Sequence, residues 1–131
     1  MSNFALKNID AVCGQQKFDK LIIDDKCLLD SFIDNLEDKY LSEMGSMYAY
    51  MQRVADLEPL PGTKFHQLGK NKTDGYTEYE FKTKHLRIYA ISQPNGKIII
   101  LGGYKNRQDK DLKTFRSIVK RYIQSQKGSK K

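Results

Sequence analysis

The apolar spacing of this chain changes period once, and the change falls at the segment Pro59, Leu60, Pro61, Gly62. Before it, Leu29, Phe32, Ile33, Leu36, Tyr40 and Leu41 recur every three or four residues, which marks one apolar helix face. After it, the stretch Tyr76–Thr83 alternates large and polar side chains, the period of a half-buried strand. Helical spacing in front and strand spacing behind is the pattern of an α+β domain.

Finer features refine this expectation. Phe18 to Ile23 has the length and apolar content of an early strand, and Asp24 and Asp25 supply turn and cap chemistry. The helical stretch carries Asp30, Asp34, Asp38 and Lys39 on its polar face. Gly45 and Ser46 interrupt it, and Ser46 suits the N-cap of a second helix bearing Met47, Tyr48, Met51, Val54, Ala55 and Leu57. The prolines at 59 and 61 end that helix, giving an N-terminal helical hairpin. Behind it, Tyr76–Thr83, Leu86–Ser92 and Lys97–Lys105 read as an antiparallel meander, its second turn made by Pro94, Asn95 and Gly96. A C-terminal helix is expected from about Gln108 to Gln126, with Asp109 and Asp111 at its N-terminus and Leu112, Phe115, Val119, Tyr122 and Ile123 on its apolar face.

With 131 residues, one domain is expected at 17–127, preceded by an extension at 1–16 that holds at most a short strand near Phe4–Leu6 and followed by a frayed tail at 128–131. No run approaches the roughly 18 apolar residues of a membrane span. No cationic segment leading into an apolar one opens the chain, and Cys13 and Cys27 do not make a secreted disulfide framework. A cytoplasmic protein without a membrane partner is the expectation.

Charge is distributed unevenly. Residues 1–63 hold 6 Lys and Arg against 11 Asp and Glu, whereas residues 97–131 hold 11 against 2. The basic back third suits a polyanion, and nucleic acid is the leading candidate. In the final helix Lys113, Arg116, Lys120 and Lys127 form a basic stripe at helical spacing.

Several segments together resemble toxins of the RelE/ParE superfamily, nearest the HigB-like, phage-derived branch. Leu57 to Gly62 ends the helical hairpin in the family manner, with Lys64 to Leu68 after it. Tyr79, Glu80, Phe81, Lys82 and then Leu86, Arg87, Ile88, Tyr89 are similar to two consecutive family strands. Ile100 to Asn106 is similar to the end of the last strand, although Gly102 stands where many relatives have histidine and Asn106 and Arg107 follow Lys105. The resemblance implies a RelE-like fold and ribosome-dependent cleavage of messenger RNA, with a cognate antitoxin, the ribosome and mRNA as partners. The alternatives are a ParE-like gyrase-inhibiting toxin and a catalytically silent module that binds RNA or protein.

Such cleavage requires neither metal nor cofactor, because the RNA 2′-hydroxyl is the nucleophile. It requires a base, cations on the scissile phosphate, and an acid for the departing 5′-oxygen. Two separated histidines and no Cys/His spacing argue against zinc. Arg87 is the first candidate for the phosphate clamp, since a guanidinium stays charged and offers paired donors; the alternative is an ion pair with Glu80 across adjacent strands. Alternation puts Glu80, Lys82 and Lys84 on one strand face and Arg87 and Tyr89 on one face of the next, so the set is expected to line one polar concavity. Glu80 serves there as base or, by preference, as the partner that orients Arg87. Lys82 and Lys84 are expected to hold phosphates and steer the substrate, and the resemblance places Lys105 and Arg107 at the basic positions the family uses around its active site. Tyr89, Tyr104 and Tyr122 either stack on bases or fill half-buried core. His85 is an acid–base candidate, for which a solvated turn histidine is the simpler account. Lys113, Arg116 and Lys120 face ribosomal RNA or an acidic antitoxin.

Overall fold

A computed structural model describes residues 3–128. Six strands form one sheet: β1 (Phe4–Asn8), β2 (Lys17–Ile23), β3 (Phe65–Asn71), β4 (Tyr76–Lys82), β5 (Leu86–Gln93) and β6 (Gly96–Tyr104). Their order across the sheet is β1-β2-β6-β5-β4-β3. Three helices accompany it: α1 (Leu28–Asp34), α2 (Leu41–Ala55) and α3 (Gln108–Gly128).

The α+β class expected from the periodicity is what forms, but the sheet is mixed. β2 runs parallel to β6, with Lys17 beside Gly96 and Lys20 beside Ile99, while every other pair is antiparallel. The parallel pair arises because the chain crosses from β2 to β6 through the helices and the meander. Gly96 permits the approach, for a Cβ there would lie 1.9 Å from the Lys17 carbonyl oxygen. Asn95, at φ 58°, takes the left-handed position that an Asn-Gly step tolerates.

Strand alternation divides the apolar residues between two layers. On one face Phe18, Phe81, Ile88, Ala90 and Ile99 pack with Leu29, Met44, Met47, Met51 and Ala55 of α1 and α2. On the other, Leu21, Tyr89, Ile91, Ile98 and Ile100 pack under Phe115, Ile118 and Val119 of α3. Each large side chain so buried contributes about 1.5–3 kcal/mol. Both faces of β5 and β6 are therefore covered, which accounts for the unbroken apolar run at Ile98–Leu101.

Three expectations are corrected, and a fourth falls largely outside the described residues. The helical stretch breaks at Asn35–Glu37, followed by a single 3-10 turn at Asp38–Tyr40, and Gly45 and Ser46 lie inside α2. Gly45 has nothing within 4 Å of its Cβ position, so it costs α2 some propensity without ending it. Residues 1–16 are not a separate extension as far as they are described: β1 pairs along β2, and Ile9 and Val12 are buried in the α1/α2 layer. β3 adds a strand that the periodicity did not show. Finally, α3 runs through Gly128, and the tail expected at 128–131 lies, beyond that residue, outside the described residues. Among the described residues no helix is long and apolar enough to cross a membrane.

Candidate functional site

The expected concavity exists as a shared face but not as an opening. Register pairs Lys82 with Arg87 and Glu80 with Tyr89, so these side chains do point the same way. They point beneath α3. Glu80 is 1% exposed, Tyr89 0% and Arg87 8%. Arg87 makes no ion pair with Glu80; its Nη1 donates to the carbonyls of Thr83 at 2.6 Å and Leu86 at 2.8 Å. Glu80 accepts at Oε2 from the Gln108 side chain at 2.6 Å, and its Oε1 bonds His66 Nε2 at 2.8 Å. Burial drives the Tyr89 phenol well above its usual pKa, with the Glu80 charge adding to the effect. With Nη1 committed to backbone carbonyls and both side chains buried beside α3, Arg87 and Glu80 read as parts of the α3 seat. Arg87 Nε, the Tyr89 hydroxyl and Asp111 Oδ2 are buried there without hydrogen-bond partners.

An open cleft of about 640 Å³ lies elsewhere, at the end of the sheet where β6 leaves for α3. Three segments meet in it. The connection from α1 to α2 supplies Glu37 and Tyr40, the β4–β5 turn supplies His85, and the chain after β6 supplies Tyr104, Lys105, Asn106 and Arg107. The Lys105 N–H donates to the His85 carbonyl at 2.8 Å, tying the last two segments together. The Glu37 N–H donates to the Tyr104 hydroxyl at 3.3 Å and ties in the first. Ring contacts run from Phe32 to Tyr104 at 5.7 Å, Tyr104 to Tyr40 at 5.5 Å and Tyr40 to His85 at 4.9 Å.

His85 is more than a solvated turn residue. Its Nδ1 lies 2.7 Å from Oε2 of Glu43, a residue of α2 that the sequence did not single out. The other carboxylate oxygen accepts from the His85 backbone N–H at 2.8 Å and from the Thr83 hydroxyl at 2.6 Å. Burial on its own pushes the Glu43 carboxyl up, yet the Thr83 hydroxyl and the His85 N–H groups together hold it below its usual value. A carboxylate kept ionised beside Nδ1 fixes the imidazole tautomer with its proton on that nitrogen. Nε2 is left as the basic nitrogen. The arrangement is suited to accepting a proton, then stabilising the imidazolium that results.

The other expected residues scatter. Lys105, Arg107 and Tyr104 share the cleft with His85. Lys84 is exposed beside it in sequence, and Lys82 is half-buried next to Arg87. Lys113 and Lys120 are exposed on α3, whereas Arg116 is engaged by Glu78 through Nη2 at 3.2 Å and Nε at 3.3 Å. Tyr122 is buried under the sheet. No group of three or more His, Cys, Asp and Glu gathers at metal-binding spacing among the described residues. Comparison with protein families, with curated proteins and with solved structures returns no match for this chain.

Proposed function

We propose that this protein is an endoribonuclease of the kind its sequence resembles, a toxin cutting messenger RNA at the ribosome, and that its centre is the cleft around His85. The observation that carries the reading is the 2.7 Å contact between Glu43 and His85 Nδ1 at the wall of an open, cation-bearing cleft. His85 Nε2 accepts the proton of the RNA 2′-hydroxyl as that oxygen attacks phosphorus. Lys105 and Arg107 offset the charge that builds on the phosphate, and Lys105 protonates the departing 5′-oxygen. A 2′,3′-cyclic phosphate and a 5′-hydroxyl result. Tyr40 and Tyr104 offer ring faces to the bases on either side of the cut, a mode that tolerates sequence. Lys113 and Lys120 draw in the polyanion, and the same exposed cations are where an acidic antitoxin would bind.

The test is incubation of the purified chain with messenger RNA, with and without ribosomes and in the presence of a chelator, followed by mapping of the ends. Cyclic-phosphate and 5′-hydroxyl termini are expected, absent with His85→Ala. RNA left intact in both conditions, or cut equally well by the variant, overturns the proposal. Growth arrest with DNA breaks and intact message would transfer the assignment to the gyrase-directed alternative.

A further inference from the structure

At the opposite end of α2 from His85, a second concavity of about 470 Å³ opens where that helix ends over the sheet. Its floor holds Lys97, a β6 residue 8% exposed. The ammonium donates to the Gln16 side-chain oxygen at 3.1 Å and lies 5.0 Å from the centre of the Tyr79 ring. Among the described residues no carboxylate is within ion-pair distance of it. Glu58, at the rim, is half exposed and lies 4.0 Å from Arg53 instead. Burying a lysine against a neutral amide and a ring leaves most of its charge uncompensated, and desolvation accordingly lowers its pKa. Around the amine the walls are apolar: Val54, Leu57, Leu60 and Phe65. Leu57 is 61% exposed and sits at φ 63°, a left-handed position at the end of α2 that glycine usually takes. An exposed leucine held in that conformation keeps an apolar rim on the opening.

One buried cation, one side-chain amide and an apolar wall define the ligand by complementarity. We propose that this pocket binds a small monocarboxylate with an apolar body, its carboxylate on Lys97 Nζ and the Gln16 amide and its body against Val54, Leu60 and Phe65. A charge-assisted bond formed away from water is strong, and the volume is within the usual range for a small-molecule site. The site shares no residue with the His85 cleft, so it stands or falls independently of the nuclease reading.

Phenylpropionate, its neutral counterpart phenylpropanol, acetate, and N-acetyl-leucine as a mimic of a peptide carboxyl terminus are titrated into the full chain, with amide chemical shifts as the readout. Phenylpropionate is expected to shift residues around 16, 54 to 60 and 97, and to bind at least about tenfold tighter than the alcohol or acetate. Lys97→Met is expected to erase the preference for acid over alcohol. Gln16→Glu, which gives the lysine an internal counter-ion and tests the idea without removing a core side chain, is expected to abolish acid binding in a protein that melts no lower than wild type. Equal binding of acid and alcohol, a preference that survives both variants, or shifts confined to other surfaces would overturn the proposal. Binding of N-acetyl-leucine that shifts the same residues and is lost in both variants would support it, since that compound is also a small monocarboxylate with an apolar body.

Discussion

Replacing Glu43 by glutamine tests the histidine–carboxylate pair with almost no change in shape. The carboxylate accepts three hydrogen bonds, from the Thr83 hydroxyl at 2.6 Å, the His85 N–H at 2.8 Å and His85 Nδ1 at 2.7 Å. A glutamine has one carbonyl oxygen, which keeps the first two, and one NH2 group, which then faces Nδ1 as a donor. Nδ1 must become an acceptor, and the imidazole proton moves to Nε2. The nitrogen that should take the 2′-proton is then already occupied. General-base catalysis contributes about 10² to 10⁴ in rate, so cleavage is expected to fall by about 10³. The two surviving bonds change from charge-assisted to neutral and lose about 1 kcal/mol each, or about 2 kcal/mol in all. That corresponds to a drop of about 6–10 °C in Tm for a domain of this size. Nitrogen-15 shifts of the imidazole report the tautomer, and end-mapped RNA cleavage reports the rate. A variant with the switched tautomer that still cuts within about threefold of wild type would refute the catalytic role of His85.

Other consequences concern stability. Because Glu43 has a lowered pKa in the folded chain, its contribution is present above the ordinary glutamate value and is lost as pH falls through the lower folded one; Glu43→Gln should therefore remove part of the stability difference between neutral and acid pH in urea titrations. Asp111 shows the opposite sign, since burial raises its pKa against the pull of Arg107 and Lys110. Asp111→Asn should therefore stabilise the fold at neutral pH, a gain that fades as pH drops below the folded value and the wild-type carboxyl becomes neutral too, as urea titrations at several pH values would show. Leu57→Gly should stabilise by about 0.5–1 kcal/mol in urea unfolding by relieving the φ 63° conformation, and a loss of stability would show that the leucine packs more firmly than its exposure suggests. Gly96→Ala should cost about 3 kcal/mol or more, because its Cβ would meet the Lys17 backbone and separate β2 from β6.

The meander and α3 were legible because their signals are local: Asn95 and Gly96 fix a turn, and Phe115, Val119 and Tyr122 fix a helix face. β3 was hidden by a register shift between Gln67 and Gly69, which breaks the two-residue alternation on which strand recognition depends. Gly45 misled because a glycine on an open helix surface costs propensity yet does not terminate the helix when Met44, Met47 and Met51 anchor the other side. At the site, alternation correctly put Glu80, Lys82, Arg87 and Tyr89 on one face. What alternation could not reveal is which helix lies over that face. Glu43 was invisible for a related reason: it is one acid among many in the front half, and only the packing of α2 against the β4–β5 turn brings it to His85, 42 residues later. Tyr104, Lys105 and Arg107 stay together at the cleft because they are near neighbours in sequence, and such proximity survives folding.

The parallel pairing of β2 with β6 also governs when a newly made chain becomes a protein. The first hairpin emerges from the ribosome early, but its inner edge has no neighbour until residues 96–99 have been synthesised. Contacts so distant in sequence close late, and the side chains of the open cleft at 104–107 emerge only after them. Nascent fragments shorter than about three-quarters of the chain therefore lack both a closed sheet and those cleft residues, so an interrupted round of translation releases a chain without the cleft.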